Sequence, residues 1–119
     1  MSAFEEKRRF SRIHGRFLLK YKDMRKENDE FRGTVSKNLS AGGVRFRSDR
    51  FISLACRLVV ELNVPELVKP IRAVSKIAWI KKLPAGDDYE VGNQFLEISR
   101  QDKEIIQGLV TAESEGHSL

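Results

Sequence analysis

Two short stretches contain the residues best suited to chemistry, and both favour binding of a phosphate-bearing purine. The first, "KRRFSR" at residues 7–12, places Arg8 and Arg12 four positions apart, with Lys7 and Arg9 beside Arg8. A guanidinium pairs bidentately with phosphate or with O6 and N7 of guanine, and its flat face stacks on a base. Taken alone, such a basic run is more typical of a solvated, solubilising surface.

The second stretch, "NLSAGG" at residues 38–43, has the spacing N-x-S-x-x-G. The amide oxygen of Asn38 can accept hydrogen bonds from the N1–H and N2–H edge of guanine, and the hydroxyl of Ser40 can donate or accept nearby. Strand alternation predicts that these two side chains share a face. Gly42 and Gly43 would permit either a close approach of backbone to ligand or a turn with positive φ. Taken alone, the stretch also fits an ordinary strand connection.

Catalytic arrangements are not evident in the sequence. It has two histidines, His14 and His117, and Ser40 does not lie in the G-x-S-x-G motif of a nucleophile elbow. Cys56 opens an apolar segment, where a thiol is usually an inert core group. No His/Cys spacing indicates zinc. We therefore expect a protein that is not an enzyme and that uses no metal and no cofactor.

Length and composition indicate one globular domain. The chain has 119 residues, of which 40% are hydrophobic and 33% charged. No apolar run approaches a membrane span, and no apolar segment resembles a secretory signal. A single cysteine excludes an intramolecular disulfide, which favours a reducing, cytoplasmic setting.

The positive charge is concentrated near the start of the chain. Residues 1–26 contain nine Lys/Arg and three Asp/Glu, whereas residues 27–119 contain thirteen and fourteen. A localised cationic segment raises the local concentration of anions, so phosphate-bearing partners are favoured. A nucleotide, a nucleic acid and an anionic membrane surface all meet this description.

The patterning predicts six strands and one helix. Alternating or β-branched segments predict strands at residues 16–22, 31–40, 42–48, 56–64, 70–82 and 89–98. From residue 99 the period becomes helical, with Ile105, Ile106, Leu109 and Val110 on one side and Ser99 as the cap. Short antiparallel strands avoid exposed edges by closing on themselves. The expected fold is all-β: a six-stranded antiparallel β-barrel with a C-terminal α-helix over one mouth.

The expected organisation is a flexible basic arm at residues 1–15, the barrel and helix at residues 16–112, and a frayed tail at residues 113–119. Together, the two opening motifs resemble those of the PilZ domain family of bacterial cyclic di-GMP receptors, which carry R-x-x-x-R in an N-terminal loop and [D/N]-x-S-x-x-G at a strand edge. The segments around Trp79, at residues 90–98 and at residues 100–112 resemble the family's long strand, last strand and closing helix.

The resemblance implies a cyclic di-GMP receptor that performs no chemistry and signals to a downstream protein partner. Arg8 and Arg12 would engage guanine and phosphate, with Lys7 and Arg9 adding charge. At the other stretch, Asn38 and Ser40 would read a guanine edge, and Gly42 and Gly43 would admit the ligand. Ligand binding would change the conformation of the arm.

Several alternatives remain open from sequence. Arg12 and Arg16 also satisfy R-x-x-x-R, although Arg16 opens the first strand and the pair Arg8/Arg12 is preferred. Asn38 stands where many relatives have Asp, and an amide is a poorer acceptor than a carboxylate. Trp79 would either border the ligand or belong to the core. The whole chain could instead be a small basic barrel that binds nucleic acid, which the nearly neutral remainder disfavours, or a degenerate PilZ protein-interaction module.

Overall fold

The computed structural model describes residues 16–26, 28–65 and 67–117, with side chains as far as Thr111. Six strands precede one helix: β1 (Leu18–Asp23), β2 (Arg32–Ser40), β3 (Gly43–Ser48), β4 (Arg57–Leu62), β5 (Ile71–Lys82), β6 (Tyr89–Ile98) and α1 (Arg100–His117). Both ends of every strand lie within two residues of the predicted ends. The expected element order is therefore confirmed.

The strands close into a barrel in the order β1-β2-β3-β6-β5-β4, and every neighbouring pair is antiparallel. Alternation decides which side chains fill the interior, because successive residues of a strand point to opposite faces. Leu19, Val44, Phe46, Leu58 and Val91 are buried there together. The six-stranded antiparallel barrel with a C-terminal helix is confirmed.

The helix α1 is held to the barrel by its apolar side. Ser99 accepts a hydrogen bond at Oγ from the backbone N–H of Asp102, at 3.0 Å, which caps the first turn. Ile106 and Val110 are buried in the same cluster as the barrel interior. The helix continues to His117, beyond the predicted boundary at residue 112, because no proline interrupts the sequence and Gly108, which lies inside the helix, does not end it.

Two β-bulges change the face of the barrel on which Asn38 and Trp79 lie. In β2 the register shifts between Ser36 and Asn38, and in β5 it shifts between Ile77 and Trp79. Ser36 and Ile77 are buried, so an unbroken period of two would turn Asn38 and Trp79 inwards. The extra residue in each strand turns them to the outer surface instead.

Candidate functional site

Four neighbouring strands align one residue each in a row across the outer surface of the barrel. Asn38 on β2 is the cross-strand partner of Arg45 on β3, Arg45 is the partner of Gly92 on β6, and Gly92 is the partner of Trp79 on β5. Because cross-strand partners point to the same face, this outer row brings together an amide, a guanidinium and an indole. Three strand spacings separate its ends by roughly 14 Å along the wall.

Asn38 and Ser40 lie on the same face, as alternation predicts. Asn38 is 6% exposed and Ser40 is 9% exposed, so both are packed into the outer wall although they point away from the core. The Oγ of Ser40 accepts a hydrogen bond from the backbone N–H of Gly42 at 3.2 Å. This contact stabilises the β2–β3 turn. Ser40 therefore has a structural role in addition to any contact with a ligand.

Gly43 has a structural role in the barrel besides the approach to ligand expected from sequence. A Cβ at position 43 would overlap the backbone carbonyl of Asn93 on β6. The close approach that this glycine permits is therefore between two strands of the barrel. Gly42 and Gly43 also do not adopt positive φ, which among the described residues occurs only at Gly86, so the expectation of a positive-φ turn at these two glycines is wrong.

Trp79 lies on the outer surface rather than in the core, so the core interpretation is wrong. Its side chain is 40% exposed, and its indole covers the position where a Cβ of Gly92 would be. An aromatic ring packed over a strand glycine satisfies two requirements, since the glycine leaves room and the ring covers the exposed backbone. The result is a flat aromatic surface at one end of the outer row.

Charge beside the outer row is set by one carboxylate held between two cations. Glu90 on β6 pairs with Lys37 at 3.0 Å and with Arg45 at 3.2 Å. These three side chains themselves carry two positive charges and one negative charge. Arg45 is the residue that the motif analysis missed. The alternation of "GVRFRS" placed it outwards, but only the strand register shows that it lies between Asn38 and Trp79.

The first described residues are hydrogen-bonded to β2 beside the outer row. The backbone N–H of Phe17 donates to Oγ of Ser36 at 2.9 Å, and the backbone N–H of Ser36 donates to the carbonyl of Phe17 at 2.9 Å. Ser36 lies two residues before Asn38 on β2. Arg16 is exposed next to this anchor. Lys7, Arg8, Arg9 and Arg12 lie outside the described residues.

Within residues 16–26, 28–65 and 67–117, no group of three His, Cys, Asp or Glu side chains could hold a metal ion. No helix among the same residues has the length and apolar character to cross a membrane.

Cys56 immediately precedes β4, and its Sγ is 3.6 Å from Oδ2 of Asp23 at the end of β1. Burial, and then the charge of Asp23, raise the pKa of this thiol. The ordinary thiolate reactivity of a cysteine is therefore suppressed here.

The sequence matches the PilZ domain family over residues 6–112, which is most of its length. The chain therefore belongs to the PilZ domain family. No curated protein matches the sequence at a significant level.

Solved structures share the fold at low sequence identity. The Bacillus subtilis inhibitor of motility (MotI/DgrA) superposes with a TM-score of 0.76 at 17% identity, with 92% of this chain matched to 52% of that one. The PilZ domain of Escherichia coli YcgR with c-di-GMP gives 0.68 at 17% identity, covering 94% and 95% of the two chains. YcgR in complex with c-di-GMP gives 0.72 at 14% identity, covering 94% and 48%. This chain spans about half the length of MotI/DgrA and of the longer YcgR chain.

Proposed function

We propose that this chain is a cytoplasmic receptor for cyclic di-GMP that carries the signal to a protein partner and performs no chemistry itself. Membership of the PilZ family and the fold shared with a c-di-GMP-bound PilZ domain support this function. The observation that carries it is the outer row, in which Asn38, Arg45 and Trp79 share one surface although they come from three strands.

The chemistry of the outer row suits a purine with phosphates. Asn38 offers an amide that can match the N1–H and N2–H edge of guanine, and Trp79 offers a flat face on which a base can stack. Arg45 lies between them with a cationic fork suited to phosphate. Ser40 would assist Asn38, while Gly42 and Gly43 would act indirectly by shaping the turn.

The anchor at Phe17 supports participation of the arm. Arg12 lies five residues before Phe17, and an extended chain of that length spans at most about 17 Å. This reach is comparable with the length of the outer row, so Arg12 can meet a ligand bound along it. Arg8 and its neighbours Lys7 and Arg9 have a longer reach. We therefore propose that Arg8 and Arg12 close over the bound nucleotide, with Lys7 and Arg9 adding positive charge.

Closure of the arm would create the signal. A dianion held between the arginines and the outer row would relieve repulsion among the arm's cations and tether the segment to the barrel. The arm and wall together would then present a surface that the free protein does not have. A downstream protein could recognise that composite surface, which makes the chain an adaptor.

Calorimetric titration of the purified chain with cyclic di-GMP tests the function, because it yields affinity and stoichiometry together. We expect saturable binding, with GMP and cyclic AMP binding much more weakly at equal concentration. A ligand at 100 times its Kd stabilises the folded state by about 2.7 kcal/mol, so the melting temperature should rise as well. Absence of both effects at millimolar cyclic di-GMP would reject the proposal.

A competition experiment separates this function from nucleic-acid binding. Cyclic di-GMP and a single-stranded RNA are titrated at two salt concentrations. Polyanion binding falls steeply with salt because counterions are released, whereas a compact nucleotide loses less affinity. Tighter binding of the RNA, with a steep salt dependence, would favour the small basic barrel that binds nucleic acid.

A further inference from the structure

A groove runs along the outside of the barrel, next to the outer row but separate from it. It has a volume of about 770 Å³ and lies between the β2–β3 turn, the outer wall of β5 and β6, and the start of α1. We call it the outer groove and define it by these lining residues: Gly42, Arg72, Val74, Gln94, Leu96 and Lys103.

The lining of the outer groove is mostly polar, but it includes an apolar patch that faces away from the core. Leu96 lies two residues after Gln94 on the outer face and is 45% exposed, and a third register shift in the pairing of β5 with β6 brings Glu97 to the same face. Val74 lies beside Leu96 and is the cross-strand partner of Val59 on β4. Val59 does not belong to the interior cluster, yet it is only 8% exposed. Leu96, Val74 and Val59 form an apolar stripe across three strands.

The rim of the outer groove is cationic. Arg72 and Lys103 line it. On the same outer wall, Lys76 is the cross-strand partner of Gln94, and Arg57 is the cross-strand partner of Lys76. Two carboxylates oppose these four cations: Glu97, which lines the groove, and Glu61, which is 3.8 Å from Arg72. The excess of positive charge favours an acidic occupant and disfavours the chain's own basic arm.

The outer groove is linked to the proposed nucleotide site through one turn. Gly42 lines the groove and belongs to the Asn38–Gly43 motif, and its carbonyl accepts a hydrogen bond from the backbone N–H of Phe95 at 2.9 Å. Gln94, beside Phe95, is the cross-strand partner of Gly43. A ligand that orders this turn therefore also orders the groove wall.

We propose that the outer groove is the docking site for the downstream partner, and that its occupant is an acidic peptide segment carrying one or two large apolar side chains. The apolar residues would pack on Leu96 and Val74, and the carboxylates would meet Arg72 and Lys103. This inference rests on the proposed function for its biological meaning, since cyclic di-GMP would tighten the interaction through the shared turn.

The test uses a phage-displayed library of random 12-residue peptides selected on the whole chain, with and without cyclic di-GMP. We expect the enriched peptides to combine Asp or Glu with large apolar residues. The best of them is synthesised with a fluorophore, and its Kd is measured by anisotropy. Leu96→Ser and Lys103→Glu should each weaken binding at least tenfold, whereas Leu54→Ser, at an exposed leucine elsewhere on the surface, should leave the Kd unchanged.

Enrichment of basic peptides, or a Kd insensitive to Leu96→Ser and Lys103→Glu, would overturn the proposal. So would sedimentation showing a dimer that Leu96→Ser makes monomeric, because the groove would then serve self-association. Calorimetry with cyclic di-GMP on the same variants keeps the two proposals apart. Peptide binding without any nucleotide binding would reject the proposed function and support the docking site. Nucleotide binding without any peptide binding would support the proposed function and reject the docking site.

Discussion

Trp79 and Gly92 are cross-strand partners, and the indole of Trp79 occupies the space in which a Cβ at position 92 would lie. The orientation of the proposed stacking surface therefore depends on the absence of a side chain on the neighbouring strand. The indole is on the outside of the barrel, where it can move without disturbing the core. A substitution in this pair can therefore change the geometry of the site with little effect on the stability of the fold.

Gly92→Ala should displace the indole and weaken binding of cyclic di-GMP. Base stacking on an aromatic residue contributes about 1–3 kcal/mol, so the Kd should rise by about five- to 150-fold, with a much smaller change in the melting temperature. Trp79 is the only tryptophan in the sequence, so its fluorescence reports the displacement directly. An emission spectrum and a Kd like those of the parent would contradict the proposed role of Trp79.

Arg45→Ala should weaken nucleotide binding about 12- to 150-fold, because a charge-assisted hydrogen bond contributes about 1.5–3 kcal/mol. Arg47→Ala is the matched control. Arg47 lies on the same strand and face, two residues further along, but pairs with Asp88 at 2.6 Å, away from Asn38 and Trp79. Calorimetric titration of both variants compares them. Equal losses would indicate a general effect of surface charge instead of a contact with the ligand.

The sequence was sufficient to predict the fold because hydrophobic alternation and turn residues agree along the whole chain. In β3 and β4, Val44, Phe46, Leu58 and Val60 point inwards as their spacing requires. The two bulges were not predictable, since one extra residue in a strand leaves no distinct composition. The sequence therefore allows both interpretations of Trp79. Only the strand register shows that Arg45 lies between Asn38 and Trp79 and belongs to the candidate site.

Gly43→Ala should destabilise the protein, because its Cβ would overlap the backbone carbonyl of Asn93, which cannot move without separating β3 from β6. Overpacking of this kind costs about 1–3 kcal/mol. Gly33→Ala is the control, since nothing lies within 4 Å of a Cβ there, and it should change the free energy of unfolding by no more than about 0.5 kcal/mol. Urea denaturation measures both. Equal stabilities would show that the strands tolerate the added methyl group.

Cys56 should react slowly with iodoacetamide at neutral pH, because burial and then the nearby Asp23 carboxylate raise the pKa of its thiol. Asp23→Asn removes the charge and should increase the alkylation rate at pH 8, with Asp49→Asn as an exposed control. The raised pKa also implies a pH dependence of the free energy of unfolding. The contribution of this thiol is fully present below its unfolded-state pKa and is lost as the pH rises through its folded-state pKa. Rapid alkylation of the parent, or an Asp23→Asn rate equal to the parent's, would contradict this account.

The arm proposal predicts a defined pattern of amide exchange. Ordering about ten residues costs roughly 10–20 kcal/mol of backbone entropy if they are fully fixed. Four or five charge-assisted contacts, at about 1.5–3 kcal/mol each, cannot offset the upper end of that cost. Saturating cyclic di-GMP should therefore protect residues 7–13 and 38–44, with residues 1–5 and 100–110 nearly unchanged.

Substitutions test which arginines close over the ligand. Arg8→Ala and Arg12→Ala should each abolish the added protection and weaken binding, with little effect on the melting temperature of the free protein. Arg16→Ala is the control, because Arg16 precedes the Phe17 anchor immediately and has the least freedom to reach across the outer row. A larger loss of affinity for Arg16→Ala than for Arg8→Ala would assign the R-x-x-x-R motif to Arg12 and Arg16. An arm already protected in the free protein, or one that exchanges as fast with ligand as without, would reject closure as the signal while leaving nucleotide binding intact.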